Sequence, residues 1–378
     1  MKIVHLLLGK ANPQSMNGVN KVVHHLATEH HRAGHDTEVW GLSATWQREP
    51  DHAHEYPMRL FPVTRVRFVL SRPLRDALTA LPSDAWVQLH SVFIPEFRAV
   101  AATLHARGVA FGLTPHGGYS PNIFARRPLV KHTYFRLVDA GILRRASLLH
   151  AIGASEVEEF ERLQPHRNVV LVPNGHTPSD HTVEPVASVR DPRPIVSYCG
   201  RLKIDHKGLD LLLAGFAQYL ADGGRGSLWM IGDGVDRDAL LASSERLGLG
   251  ERVRFLGAHF GDAKMRYLHA SDAFIHTSRW DVVPTAVLEA AAASLPVIVS
   301  KGTDMGDAVE ASGAGFVLPV NEPAAIADAL RAFETAWAQG RSADLGERAR
   351  TMVASHFAWS RIAATLAAVY DDAQRANR

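Results

Sequence analysis

The sequence predicts an α/β protein built from two doubly wound domains, and three observations predict it. Short β-branched or leucine-rich runs alternate with helical patterns almost throughout, as in βαβ units whose parallel strands are buried on both faces. The length, 378 residues, exceeds what one ordinary core accommodates. A polar, proline-punctuated passage, "PNGHTPSDHTVEPVASVRDPRP", carries neither a helical nor a strand period. A linker is therefore placed at 179–194, between an N-terminal domain at 1–178 and a C-terminal domain at 195–359. A last helix, about 360–378, is expected to pack back on the first domain. Two such domains are expected to face each other across a cleft, and open parallel sheets bind ligands at the C-terminal ends of their strands.

In the first half, strands are expected at "KIVHLLL", "DTEVWGL", "AWVQLH", "VAFGLT", "SLLHAIG" and "VVLVPN". The helix after the first strand sets Val19, Val22, Val23 and Leu26 on one face. The second half repeats the alternation, with strands at "PIVSYCG", "SLWMIGDG", "RVRFLG", "DAFIHTS", "PVIVS" and "GAGFVLP". Its first helix lines up Leu209, Leu212, Leu213, Phe216 and Leu220.

Composition narrows the class. With 46% hydrophobic and 21% charged residues and no low-complexity tract, the chain is globular throughout. A formal charge of +2 gives no general field for gripping a nucleic-acid backbone. The single cysteine, Cys199, excludes an internal disulfide and a multi-cysteine zinc site, suits a reducing compartment, and reads as a small buried hydrophobe at a strand end. The opening "MKIVHLLLGKANPQ" reads as a first strand and not as a signal peptide, and no uncharged stretch is long enough to span a bilayer. The expected location is the cytoplasm, with peripheral contact at the inner face of the membrane.

Chemistry is expected where strands give way to helices. In "YCGRLKIDHKGLD" a strand ends at Cys199, Gly200 permits a tight turn, Arg201 and Lys207 lie in the loop, and a helix opens near Gly208. Two cations at a helix N-terminus suit a phosphate, because unpaired N–H groups and the helix dipole attract the anion that the side chains neutralise. A solvated basic loop is the alternative for that segment alone. "SMNGVNKVV" places Asn17 and Gly18 between the first strand and its helix, where a glycine lets backbone approach a ligand closely. No GxGxxG is present, so a dinucleotide fold is not supported. "MIGDG" is a third such turn, and weak by itself.

"HTSRWDVVPTAVLEAAAASLPVIVS" sets Asp281 and Glu289 eight positions apart around Pro284. An acid at a helix start is often only a cap or a dipole complement. With a strand at "DAFIHTS" and Pro284 beginning a helix, however, Asp281 lies in the loop, and Thr285 and Glu289 share one helical face. Two carboxylates so placed can each accept hydrogen bonds from paired sugar hydroxyls, with the helix N-terminus aimed at phosphates between them, which is the layout of a nucleotide sugar.

In order, "GRLKIDHKG", "WMIGDG", "VRFLG", "SRWDVVPTAVLEAAAASLPVIVS" and "GAGFVLP" resemble the nucleotide-binding domain of retaining glycosyltransferases of family 4, which have the two-domain GT-B architecture. The likeness covers about residues 195 to 320, and "NGVNKVV", "HGG" and "VPNG" fit that family's more variable acceptor domain. The resemblance implies that Arg201 and Lys207 hold the donor's diphosphate. It also implies that the first acid of an E-x7-E pair, Asp281, contacts the transferred sugar, and that the second, Glu289, contacts the ribose. Aspartate at 281 departs from the usual glutamate by one methylene, which bears on the donor sugar and on full activity. A histidine after an N-domain strand commonly lies near the reacting centre in the family. His116 in "LTPHGGYSP" matches best, with His90 in "VQLHS" second. His90 and Asn17 are candidates for the acceptor side, and Gly18 and Thr285 for donor binding.

"HHLATEHH", residues 24 to 31, lacks a completing cysteine or acid and reads as a solvated helix face, and "DRD" at 236–238 lies in a loop, so no metal site and no cofactor are expected. Charge on the leaving nucleoside diphosphate then falls to Arg201, Lys207 and helix N-termini. The resemblance implies same-face attack with retention, the departing phosphate oxygen taking the acceptor's proton. The expected activity is transfer of a sugar from a nucleotide sugar to a hydroxyl of a glycan or lipid-linked acceptor, in polysaccharide or glycoconjugate synthesis. Two rivals stay open: a GT-B-type nucleotide-sugar epimerase and a non-catalytic nucleotide-sugar binder. "FARRPLVKHTYFRLVDAGILRRASLL", 124–149, interleaves Arg126, Arg127, Lys131, Arg136, Arg144 and Arg145 with apolar residues. That pattern suits either a contact with anionic lipid or a surface helix packed by its apolar face.

Overall fold

The computed structural model describes residues 1–12, 17–47, 53–166, 168–176, 183–186 and 191–377. The chain divides into two compact units, Met1–Gly175 with Trp359–Arg378, and His176–Ala358.

The first unit contains strands β1 (Lys2–Leu8), β2 (Asp36–Ser43), β3 (Met58–Pro62), β4 (Ala85–His90), β5 (Ala110–Thr114), β6 (Leu148–Ala151) and β7 (Val169–Leu171). All pair in parallel, in the order β3-β2-β1-β4-β5-β6-β7. The chain starts mid-sheet, runs to one edge and returns to fill the other, so the order reverses between β1 and β4. Open parallel sheets bind ligands at such a reversal point. β3 was not expected: it is an edge strand in which only Phe61 is buried, so it lacks the apolar run that marked the others.

The helix Gly18–Arg32 buries Val22, Val23 and Leu26 against this sheet. The last helix, Trp359–Ala376, belongs to the same unit. Its Ile362, Leu366 and Tyr370 pack with Ile3, Trp86 and Leu148, and Tyr370 stacks on Trp86 with ring centroids 4.7 Å apart.

The second unit contains β8 (Ile195–Cys199), β9 (Ser227–Ile231), β10 (Val253–Gly257), β11 (Ala273–His276), β12 (Val297–Ser300) and β13 (Gly315–Leu318), all parallel. Their order is β10-β9-β8-β11-β12-β13, with the reversal between β8 and β11. Helix Leu209–Ala221 buries Leu209, Leu212, Leu213 and Phe216 on one face of the sheet, while Val287, Leu288 and Ala291 of helix Thr285–Ala292 pack on the other.

Of the expected linker, 179–182 and 187–190 lie outside the described residues. The described parts pack on the second unit: Val183 and Val186 join its apolar clusters, and Trp229 Nε1 donates to Asp191 Oδ2 at 2.8 Å. Among the described residues no helix is long and apolar enough to cross a membrane.

Candidate active site

Two glycines let the loops around the end of β8 interlock, one with the turn after β9 and one with the loop after β11. A Cβ on Gly232 would come within 1.9 Å of Gly200 O, so the turns after β8 and β9 touch backbone to backbone, which accounts for the "MIGDG" glycine as packing. Gly208 has φ +62, and a Cβ there would meet Thr277 O at 2.2 Å. Across that contact the Thr277 hydroxyl is 3.1 Å from Lys207 O and 3.2 Å from Gly208 O. The Arg279 N–H donates to His206 O at 2.9 Å, and its guanidinium grips Asp210 at 2.9 and 2.7 Å. His206 stacks on Trp280. The segment after β8 and the loop after β11 therefore form one body.

At its centre lies Asp281. Lys207 ends a one-turn helix, Ile204–Lys207, where an open loop was expected, and its ammonium donates to Asp281 Oδ2. His276 Nε2 donates to the same oxygen at 3.1 Å, with the Ser278 hydroxyl 3.4 Å away. The backbone is held as well: Asp281 N–H donates to Gly302 O at 2.7 Å, and Asp304 N–H to Asp281 O at 3.2 Å. Buried Val283 takes φ +43, a costly conformation for a β-branched side chain, in the turn that leads to the N-cap residue Pro284, one position earlier than the first helical place expected for it. Burial opposes ionisation of Asp281, but the hydrogen bond from His276 and the charge of Lys207 outweigh it and hold the carboxyl well below the usual range. His276, buried in β11, is pushed down by that burial against the pull of Asp281, so it stays neutral.

Glu289 and Thr285 share the helix Thr285–Ala292, with Thr285 exposed. Glu289 is paired with Lys264 at 2.6 Å, from helix Gly261–Ala270. Cys199 lies within their field, its buried thiol pushed up to about 11, which fits an inert small hydrophobe. Arg201 differs from both lysines. It is exposed, its carbonyl accepts from the Tyr198 hydroxyl at 2.9 Å, and among the described residues its guanidinium has no hydrogen-bond or ion-pair partner.

In the first unit Asn17 caps the helix Gly18–Arg32, its Oδ1 accepting from Val19 N–H at 2.9 Å, and exposed Gly18 has open space where a side chain would stand. His116 follows β5 with φ +52 and is half-buried; its Nε2 lies 3.0 Å from His90 Nδ1. His90 is 1% exposed and its other nitrogen is 2.9 Å from His5. A direct acceptor contact, expected as a role for His90, does not fit a ring with no surface and both nitrogens engaged. The solvated face expected for residues 24–31 is also corrected. His30 is buried with Nε2 3.0 Å from Ala363 O, His25 stacks on Trp359, and His24 lies 2.9 Å from the Tyr56 hydroxyl. The C-terminal helix covers much of that face. Among the described residues no three His, Cys, Asp or Glu side chains are grouped to hold a metal ion.

The basic segment forms short helices, Pro121–Ala125, Pro128–Tyr134 and Ala140–Arg145, joined by a π-helical turn Phe135–Asp139. Phe124 and Phe135 point inward, but Leu129, Val130 and Leu137 are 84%, 65% and 69% exposed and line an open apolar groove with Phe68. Arg126, Arg127 and Arg136 stand exposed beside them in the chain.

Two family profiles match. Residues 182–352 match the group 1 glycosyl transferases and residues 16–179 match glycosyltransferase family 4, so that together they take in most of the chain. The chain belongs to the family 4 glycosyltransferases. This glycosyltransferase is 25% identical over 354 residues to glycogen synthase of Mycobacterium tuberculosis, a match that covers 92% of the chain and 74% of that protein. In fold it is similar to sucrose-phosphate synthase of Thermosynechococcus elongatus, with TM-score 0.71, 19% identity and full coverage of both chains. It is also similar to the Anabaena protein HepE in complex with UDP, with TM-score 0.70, 19% identity, and 97% and 99% coverage.

Burial of histidines makes the glycosyltransferase acid-sensitive in a stated direction. His30 is pushed down to about 4, His150 to about 4 and His116 to about 3, and His5 and His90 lie well below the ordinary value, in each case chiefly by burial. The unfolded chain binds protons that the folded unit does not, so stability is level above the ordinary histidine value near 6.5 and falls below it. Each such group contributes a loss of about 1 kcal/mol between about pH 6.5 and 5.5. Urea unfolding across that interval should show the midpoint dropping steeply. A midpoint that holds constant to pH 5 contradicts the burial of this cluster.

Proposed function

We propose that this glycosyltransferase moves a sugar from a nucleoside diphosphate sugar to a hydroxyl of a glycan or lipid-linked acceptor, with retention and without a metal. The observation that carries the reading is the geometry at the β8–β11 reversal: Lys207, Asp281 and Arg201, whose guanidinium has no partner among the described residues, sit on one braced body, with Thr285 and Glu289 on the helix that the Asp281 loop feeds. Arg201 offers a free fork of donors to the diphosphate. Lys207 has three ammonium donors, of which Asp281 takes one, and so serves both groups at once. Asp281, held ionised, accepts from hydroxyls of the transferred sugar, and Glu289 accepts from the ribose. As the phosphate–sugar bond breaks, negative charge grows on the leaving oxygen beside the two cations, and the acceptor's proton passes to that oxygen on the same face. No protein nucleophile is required. In the first unit, His116 meets a sugar hydroxyl. That HepE was solved with UDP supports a uridine nucleotide as the first donor probe.

The likeness to a glycogen synthase supports a polymeric or glycan acceptor in cell-surface or storage polysaccharide synthesis. The apolar groove of Leu129, Val130 and Leu137, with Arg126, Arg127 and Arg136 beside it, supports work at the cytoplasmic face of an anionic membrane, where apolar residues insert and arginines meet the headgroups.

Arg201→Ala should lower turnover about 100-fold, near 3 kcal/mol of lost charge stabilisation, without altering thermal melting, since its side chain is exposed. Lys207→Ala should lower turnover similarly and also lower the melting temperature, because Asp281 is left buried without its counter-charge. Turnover in the wild type should survive excess EDTA. Normal kinetics in both variants remove the phosphate assignment, and activity lost to EDTA and restored by magnesium or manganese removes the metal-free mechanism.

Sedimentation with liposomes should show binding to vesicles containing anionic phospholipid but not to neutral ones, and Leu129→Asp with Val130→Asp should abolish it. Equal binding to both vesicle types, or none to either, contradicts the membrane contact.

A further inference from the structure

Four histidines of the first unit form a single hydrogen-bonded file. It starts at the Ala363 carbonyl, 3.0 Å from His30 Nε2. His30 Nδ1 is 3.0 Å from His5 Nε2, His5 Nδ1 is 2.9 Å from His90 Nε2, and His90 Nδ1 is 3.0 Å from His116 Nε2. Successive ring centroids are 5.2, 5.2 and 5.3 Å apart, and with the nitrogens this close the rings meet edge to edge. Each ring comes from a different element: the helix Gly18–Arg32, then β1, the end of β4 and the turn after β5, and those three strands are consecutive in the sheet.

A carbonyl oxygen only accepts, and a neutral imidazole has one N–H and one bare nitrogen. The Ala363 carbonyl therefore demands the hydrogen on His30 Nε2 and leaves His30 Nδ1 bare. His5 must then donate from Nε2, His90 must donate to the bare His5 Nδ1, and His116 must donate to the bare His90 Nδ1. Burial keeps the rings neutral, as the deduction requires. His150 obeys the same rule separately: its Nε2 donates to Val172 O at 2.7 Å, and its Nδ1 accepts at 2.9 Å from the Thr114 hydroxyl, which in turn accepts from Gln88 Nε2 at 2.9 Å.

We propose that the Ala363 carbonyl, acting through His30, His5 and His90, fixes His116 as the Nε2–H tautomer and so presents its Nδ1 as a bare acceptor. Nδ1 of His116 is the only ring nitrogen in the file without a partner among the described residues. This rests on the reading of His116 as the group that meets a sugar hydroxyl, and deepens it: the ring takes a hydrogen bond from a hydroxyl and has no proton on Nδ1 to give to a phosphate. His30, His5 and His90 are positioning residues. The file orients and does not conduct, because a carbonyl cannot take up the proton at its inner end, and a proton kept on the rings leaves a cation in the core. The helix that supplies Ala363 thereby sets the chemistry of a side chain distant in sequence.

Ring-15N histidine labelling of the full-length protein, near neutral pH and without substrate, reads the tautomers directly, the His116 signals being assigned by their loss in His116→Gln. The wild type should show one His116 tautomer, protonated on Nε2. His30→Gln should keep it, since the amide donates to Ala363 and accepts from His5. His30→Leu leaves the His5 Nε2–H without an acceptor, and a buried orphan N–H is costlier than a buried lone pair, so the file should invert and move the His116 proton to Nδ1. A wild-type His116 protonated on Nδ1 or averaging between tautomers overturns the proposal, as does a His116 tautomer unmoved by a folded His30→Leu. The wild-type spectrum decides alone if that variant does not fold. Undiminished transfer by His116→Ala removes the sugar-facing reading itself, and because the tautomers are measured without substrate the two failures are distinguishable.

Discussion

The ion pair between Lys207 and Asp281 holds together the loops at the reversal point of the second unit's sheet. The sheet order forces the segment after β8 and the loop after β11 to part at the reversal point, and this pair closes them again, with Thr277, Arg279 and the bare backbone at Gly208 as supports. Both side chains are mostly withdrawn from water, at 12% and 19% exposure, so the pair is not a screened surface bridge. Removing either charge strands the other. The strain at Val283 is tolerated in the loop that delivers Asp281, as expected where surrounding structure over-determines the backbone.

The first unit solves a different problem with the same economy of partners. Its sheet face beneath the first and last helices carries His5, Gln88, His90, Thr114 and His150, an unusually polar core for buried strands. Those side chains are tolerable only because their hydrogen bonds are satisfied in sequence, each ring's lone pair meeting the next ring's N–H and the series ending on a backbone carbonyl. A network of that kind has one low-energy arrangement of protons. Packing and proton placement are the same constraint there.

Much of this was legible in the chain. Strands buried on both faces, such as β1, β4, β8 and β12, announce themselves as short apolar runs, and the βαβ alternation follows. β3 does not, because only Phe61 is buried on an edge strand. Cations at 201 and 207 and the acid at 281 stand out by their place after strand ends, and the acid at 289 by its place on the helix that follows. Their partners do not: Lys264 meets Glu289 through tertiary packing that no local spacing encodes. His276 left a signal, since a histidine inside the buried run "AFIH" needs a partner and an acid stands five residues on. His30 reads as solvated from the sequence because the helix that buries it lies 333 residues away at Ala363. His116 ranks ahead of His90 in the sequence by its place in the motif, and burial separates them further: His90 is enclosed and His116 is half-buried.

If Asp281 holds the transferred sugar and not the nucleotide, its loss should spare the bare nucleoside diphosphate and even free Lys207 to bind it. Calorimetric titration of Asp281→Asn with UDP, set beside its transfer rate, tests that most directly. The Kd should stay within about threefold of wild type, or tighten, with transfer lowered on the order of 100-fold. A variant that loses UDP affinity while keeping its rate per bound donor would show Asp281 to be a structural cap and would contradict the account.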